Sequence, residues 1–152
     1  DERYVLYTST FEGCIMKYHL QGPNAGTVGR ILDNFPGFLD GADCSFDSGL
    51  CYVAIPTPIS GLVQTIFSLP PWLGKPVRTL LMMIPRTWAP KAVSFGAVAE
   101  IHPGNEEVKA RIVRVFQDPD GKDMSMVTGV TECDGKVYLG SLHNNHVGVL
   151  TL

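Results

Sequence analysis

The chain reads as all-β, about half of a β-propeller, with ten short strands grouped three, four and three and a partly helical insertion. Three observations lead there. Gly and Pro punctuate the sequence at short intervals, leaving β-branched and aromatic runs of strand length between them. The stretches SFDSGLCYVAI and TECDGKVYLGS repeat one frame: a turn ending in Gly49 or Gly135, then Tyr52 or Tyr138 followed by an aliphatic and a small residue. DERYVLYTS lies on the same frame, and antiparallel units recurring every ~40–45 residues are a propeller signature. With 152 residues, 45% hydrophobic and 18% charged, the composition is that of one globular domain.

In order, strands are expected at Tyr4–Thr8, Cys14–Leu20 and Val28–Asp33, forming part of a blade over residues 1–34. A full blade over 39–118 takes Ala42–Phe46, Leu50–Ile55, Ser94–Ile101 and Ala110–Gln117, interrupted by an insertion at 57–90. The last blade, 124–152, takes Met126–Glu132, Lys136–Leu142 and Val147–Leu152. The first group lacks its innermost strand and the last its outermost. A blade buries its faces against neighbours, so half a ring leaves two apolar flanks bare. The remaining N-terminal half of the propeller, in the same protein or a separate chain, is therefore an expected partner. The same ten strands could otherwise build a small two-sheet sandwich.

The net charge of −3 offers no electrostatic footprint for nucleic acid. Zinc-finger, Walker and dinucleotide-binding spacings are absent, as are a signal-peptide pattern at DERYVLYTST and any N-x-S/T acceptor. Of the cysteines, Cys44 and Cys51 flank the Ser48-Gly49 turn. Counting from a two-residue turn sets Phe46 opposite Cys51 and Cys44 opposite Val53, which places the sulfurs on a diagonal and favours packed thiols over a disulfide. The redox compartment stays open.

The insertion, PTPISGLVQTIFSLPPWLGKPVRTLLMMIPRTWAP, departs from the blade pattern. Between Ser48 and Ala99 there is no acidic residue, while Lys75, Arg78, Arg86 and Lys91 give +4 and leave the rest of the chain at −7. Prolines at 70, 71, 76 and 85 limit a helix to about three turns. No apolar run approaches the ~20 residues needed to span a bilayer. The segment is expected to pack as a cap over the propeller mouth, with its basic residues in water; a membrane surface is the other partner that such a segment suits.

Three motifs in this order resemble the strictosidine synthase-like family of six-bladed propellers. MKYHLQGPNAGTVGRIL is similar to the family's RYWLxGPKxGTxEVL at Tyr18, Leu20, Gly22, Pro23, Gly26 and Thr27. NFPGFLDGADCSFDSGLCYVA resembles NLPGFPDNIRxxxxGxYWVA, and TGVTECDGKVYLGSLHNNHVGVL resembles the closing xxVxEHDGxLYLGSxxxxxIGxL. The likeness is to the family's C-terminal half, and the insertion around Pro71-Trp72-Leu73 resembles that of members of the adipocyte plasma membrane-associated protein type.

The resemblance implies a divergent calcium-dependent esterase or lactonase, with Asp40 as a metal ligand at the start of an inner strand. It also implies an endomembrane, secretory-lumen or membrane-associated location. A non-catalytic propeller that binds a protein or membrane surface through 57–90 is the alternative. Asp40 is expected to face the central channel, and Asp43 and Asp47 to be peripheral. By itself, Asp before Gly is also ordinary turn chemistry. Ser9 stands where many members carry Glu, and Thr128 where the condensing enzymes carry their acid–base Glu; both are expected to line the channel. A Thr hydroxyl cannot shuttle a proton near neutral pH, so condensation of an amine with an aldehyde is not expected. His143, Asn144, Asn145 and His146 read as a polar turn between the last two strands.

Overall fold

The structure, a computed structural model, describes residues 3–10, 12–45, 48–61, 65–66, 69–85, 94–104 and 108–152. It is mostly β. The strands β1 (Tyr4–Ser9), β2 (Cys14–His19) and β3 (Val28–Leu32) form one antiparallel sheet in chain order. Next come β4 (Gly37–Phe38), β5 (Ala42–Cys44), β6 (Cys51–Ile55) and β7 (Thr57–Pro58), helix α1 (Pro71–Met82), then β8 (Gly96–His102) and β9 (Arg111–Asp118). Of these, β5-β6-β8-β9 make a four-stranded sheet, and β4 pairs with β7. The chain closes with β10 (Val127–Cys133), β11 (Lys136–Ser141) and β12 (Gly148–Thr151), again paired in order.

The two central strands of the four-stranded sheet, β6 and β8, are buried on both faces. Along β6 every residue is buried, and alternate side chains serve two different cores. Cys51, Val53 and Ile55, with Ala97, Ala99 and Ile101 of β8, pack toward the first sheet through Ile15, Leu6, Ile31 and Leu32. Tyr52, Ala54 and Val98 pack toward the last sheet through Val127, Val137 and Leu139. Three sheets are thus stacked in sequence order, which sets aside the two-sheet sandwich and fits a partial propeller. The outward row Val5, Tyr18 and Val28 on the first sheet remains exposed, as does Val149 on the last.

The repeat seen in the sequence has a backbone cause. Gly49 and Gly135 both adopt left-handed conformations, φ +68° and +70°. The two turns nevertheless differ in length. In the last sheet Cys133 pairs with Lys136 across the two-residue turn Asp134-Gly135. In the middle sheet Ser45 N–H donates to Leu50 O (2.9 Å), so four residues form the loop. That longer loop sets Cys44 directly opposite Cys51, and the two form a disulfide. The expectation of packed thiols is corrected: the count from a two-residue turn was two residues out of step. Phe46 and Asp47 lie outside the described residues.

Two elements were not expected. β4 and β7 form a small ladder, Gly37 opposite Pro58 and Phe38 opposite Thr57, so the start of the segment assigned to the insertion is strand. Helix α1 runs through Pro76, whose missing N–H removes the bond to the Trp72 carbonyl.

One polar row crosses the middle sheet: Asp43, Tyr52, Glu100 and Arg114 are successive cross-strand partners. Glu100 is buried, with its carboxylate Oε2 accepting from Arg114 Nε at 2.7 Å. At the end of β9, Asp118 Oδ2 accepts from the backbone N–H groups of Asp123 (2.7 Å) and Met124 (3.0 Å) and so holds the loop that leads into β10. Those donors, that of Met124 first, lower the Asp118 pKa.

Two expectations follow from this packing. Arg114→Ala strands a buried carboxylate and should cost about 2–4 kcal/mol in urea denaturation, more than Glu100→Gln, which removes the charge together with its need of a partner. Asp118→Asn should lower stability above about pH 4, because a depressed carboxylate stabilises the fold only while it is ionised. Denaturation across a pH series should show the gap between Asp118→Asn and the parent constant near neutrality. It should close as pH falls through the folded-state pKa.

Candidate functional site

Strand ends from all three sheets meet around Asp40. Asp40 N–H donates to Ala54 O (3.0 Å) and its carbonyl accepts from Thr8 Oγ1 (2.8 Å), tying the first sheet to the start of β5. Gly41 N–H donates to Thr128 O (2.9 Å), tying β5 to the last sheet. A Cβ at Gly41 would lie 2.5 Å from that same oxygen, so only glycine allows the approach.

The carbonyl of Thr128 is free to accept because of an irregularity in its own strand. The pairing of β10 with β11 runs from Val127 opposite Ser141 to Gly129 opposite Gly140, passing over Thr128. Just upstream, Met126 sits at φ +51°, a left-handed conformation uncommon for a side chain of this kind. Its amide is held by Phe95 O (2.8 Å) and its carbonyl by Leu142 N–H (3.2 Å). The segment is further pinned by Asn144, whose Oδ1 accepts from Ser125 N–H (2.9 Å) and Ser141 Oγ (3.0 Å). Asn144 is therefore an organiser of this loop. His143 and His146 are exposed in a turn, with His146 Nε2 3.2 Å from Asp123 O.

Asp40 presents an exposed carboxylate at this junction. Ser9 pairs with Cys14 at the nearby end of β1 and is partly buried. Cys14 is a free, buried thiol whose pKa is raised by desolvation, which leaves it unsuited as a nucleophile at neutral pH. Asp43 is partly buried, and its Oδ2 accepts from Thr131 Oγ1 of the last sheet. Asp47 lies outside the described residues. The Asp43–Thr131 bond and the buried Glu100 were missed from the sequence, although a lone Glu inside the apolar run AVAEI was a signal for the latter.

Calcium takes six to eight oxygen ligands. Among the described residues no group of three or more His, Cys, Asp and Glu is close enough to hold a metal ion. Asp40 is thus a single carboxylate, and the described residues do not by themselves fit a calcium site. What the junction presents is one carboxylate, the Thr8 hydroxyl on the Asp40 carbonyl, and the Thr128 carbonyl on the Gly41 amide.

The stacked sheets and this shared end define a chain of propeller-like build. Its homologues are adipocyte plasma membrane-associated proteins and strictosidine synthase-like proteins. It is 30% identical over 162 residues to adipocyte plasma membrane-associated protein of Danio rerio, covering 100% of this chain and 35% of that protein. The corresponding protein of Salmo salar is 29% identical over 162 residues, with the same coverage of 100% and 35%. Protein STRICTOSIDINE SYNTHASE-LIKE 13 of Arabidopsis thaliana is 26% identical over 153 residues, covering 99% of this chain and 33% of the relative. The chain spans about a third of the length of these curated relatives. No protein-family model matches it.

The Gly41 contact is testable. Gly41→Ala should destabilise by about 1–3 kcal/mol, since either β5 or β10 must move. Gly29→Ala, where a Cβ meets nothing within 4 Å, should be tolerated. Equal effects of the two substitutions in thermal denaturation would show that the contact is not tight.

Proposed function

We propose that the chain is part of a six-bladed strictosidine synthase-like propeller that hydrolyses esters or lactones and has no condensing activity. The observation that carries this reading is the meeting of Asp40, Thr8 and Thr128 at one end of three sheets. With blades 1–34, 39–118 and 124–152 set around a ring, that end is the mouth of the central channel, and the remaining half of the ring covers the bare flanks at Val5, Tyr18, Val28 and Val149. Asp40 is one ligand of a calcium site whose other oxygens come from outside the described residues. Ser9 and Thr128 line the channel as hydroxyls, and neither has a pKa suited to proton transfer near neutrality.

The Cys44–Cys51 disulfide supports an oxidising, secretory-type compartment. The names of the adipocyte plasma membrane-associated homologues support a membrane-associated location. No helix among the described residues is long and apolar enough to cross a membrane. A second reading, a non-catalytic propeller that works by binding, is favoured by the exposed apolar face of α1, on which Trp72 is 76% exposed.

The purified full-length protein should hydrolyse aryl esters or lactones, lose that activity with a chelator, and show no condensation of arylethylamines with aldehydes. General acid–base catalysis is typically worth about 10²–10⁴-fold, so Thr128→Glu is the variant that should first reveal any condensation. Asp40→Asn should weaken calcium binding by calorimetry. Robust condensation by the parent protein, or hydrolysis indifferent to chelation and to Asp40→Asn, would overturn this reading in favour of binding.

A further inference from the structure

Helix α1 leaves much of its apolar surface exposed. Trp72, Pro76, Leu80 and Met83 recur at a spacing that puts them on one face, and that face points to solvent. Trp72 is 76% exposed, Leu80 68% and Met83 74%. Leu73, Leu81 and Ile84 widen the apolar surface around them. Isolated exposed Leu residues are ordinary, but six large apolar side chains within thirteen residues form a continuous patch. On the other side of the helix Gly74 is buried, and Arg78 Nε donates to the Gly74 carbonyl at 3.1 Å.

The charge around this patch points to its occupant. Lys75 lies beside the apolar face, and the whole stretch from Ser48 to Ala99 contains four basic residues and no acidic one. The remainder of the chain carries −7 within a total of −3, so this stretch is the part of the sequence that an anionic surface attracts. A Trp-bearing apolar stripe beside basic residues, on a helix of about three turns, suits the boundary between headgroups and acyl chains.

We infer that α1 lies in the plane of an anionic lipid surface, with Trp72, Leu80 and Met83 inserted and Lys75 on the headgroups. This holds whether or not the channel is catalytic. The test is flotation of the full-length protein with vesicles of phosphatidylcholine alone or with about 30% phosphatidylserine. Any separate membrane-spanning segment is deleted from parent and variants alike, so that flotation reports on α1. Binding should be several-fold stronger to the anionic vesicles and weaken as salt is raised. Trp72→Ala with Leu80→Ala should lower partitioning at least tenfold, and Lys75→Glu should lower it about fivefold on anionic vesicles only.

A second measurement leaves the helix intact. In a background in which Trp88 and every tryptophan outside this chain are replaced by Phe, Trp72 emission should shift to the blue and become protected from acrylamide when anionic vesicles are added. Unchanged emission, or equal flotation of parent and double variant, would overturn the inference. Flotation that ignores phosphatidylserine would remove the charge component and overturn the assignment to an anionic surface.

Discussion

The double burial of the middle sheet is the constraint on which the rest of this structure depends. Because β6 and β8 have no solvent face, their sequences cannot alternate between apolar and polar in the manner of a surface strand, and CYVAI and GAVAEIH do not. Sheets stack closely only where side chains are small, which is why Ala54, Ala97 and Ala99 occupy the centre. The one ionised group carried inward, Glu100, is accompanied by Arg114 from the neighbouring strand. Asp43, on the same row, is taken up by Thr131. Both carboxylates of this row are therefore partnered, and the second of these bonds also ties the middle sheet to the last.

That stacking also creates the candidate site. No single segment builds it: Thr8 lies one residue before the end of β1, Asp40 and Gly41 precede β5, and Thr128 interrupts β10. They meet because the sheets are held in order, and the contact is made by backbone atoms that no side-chain pattern announces. The left-handed Met126 and the skipped pairing at Thr128 are local costs borne by a well-anchored loop, with Asp118 and Asn144 holding its two sides. An irregularity so firmly supported keeps the Thr128 carbonyl aimed at the neighbouring blade. It leaves the chemistry of the junction to one carboxylate and a few hydroxyls.

The helix illustrates the reverse situation. Both faces of the middle sheet are already filled, so an amphipathic segment inserted after β7 has no core to join. Pro71 at its first position and the carbonyl freed by Pro76 shape it locally, and Gly74 gives room to Leu69 and the Arg78 guanidinium. Nothing among the described residues buries Trp72, Leu80 and Met83, and that exposed stripe is what α1 offers to an external surface.

The sequence by itself determined the strands other than the short β4 and β7, the turn glycines and the repeat, because each rests on local chemistry: β-branched runs, left-handed Gly49 and Gly135, and a helix of about three turns among prolines. It also determined that Thr128 lacks a useful pKa and that basic residues concentrate in the insertion, since composition needs no fold. The pairing of Cys44 with Cys51 was decided by loop hydrogen bonds, which turned an expected diagonal into a direct pair. The burial of Glu100, the meeting of Asp43 with Thr131 and the need for glycine at 41 were decided only by the tertiary structure. Each of these depends on a separation between sheets, a distance set by how all the intervening side chains pack and carried by no one stretch of the chain.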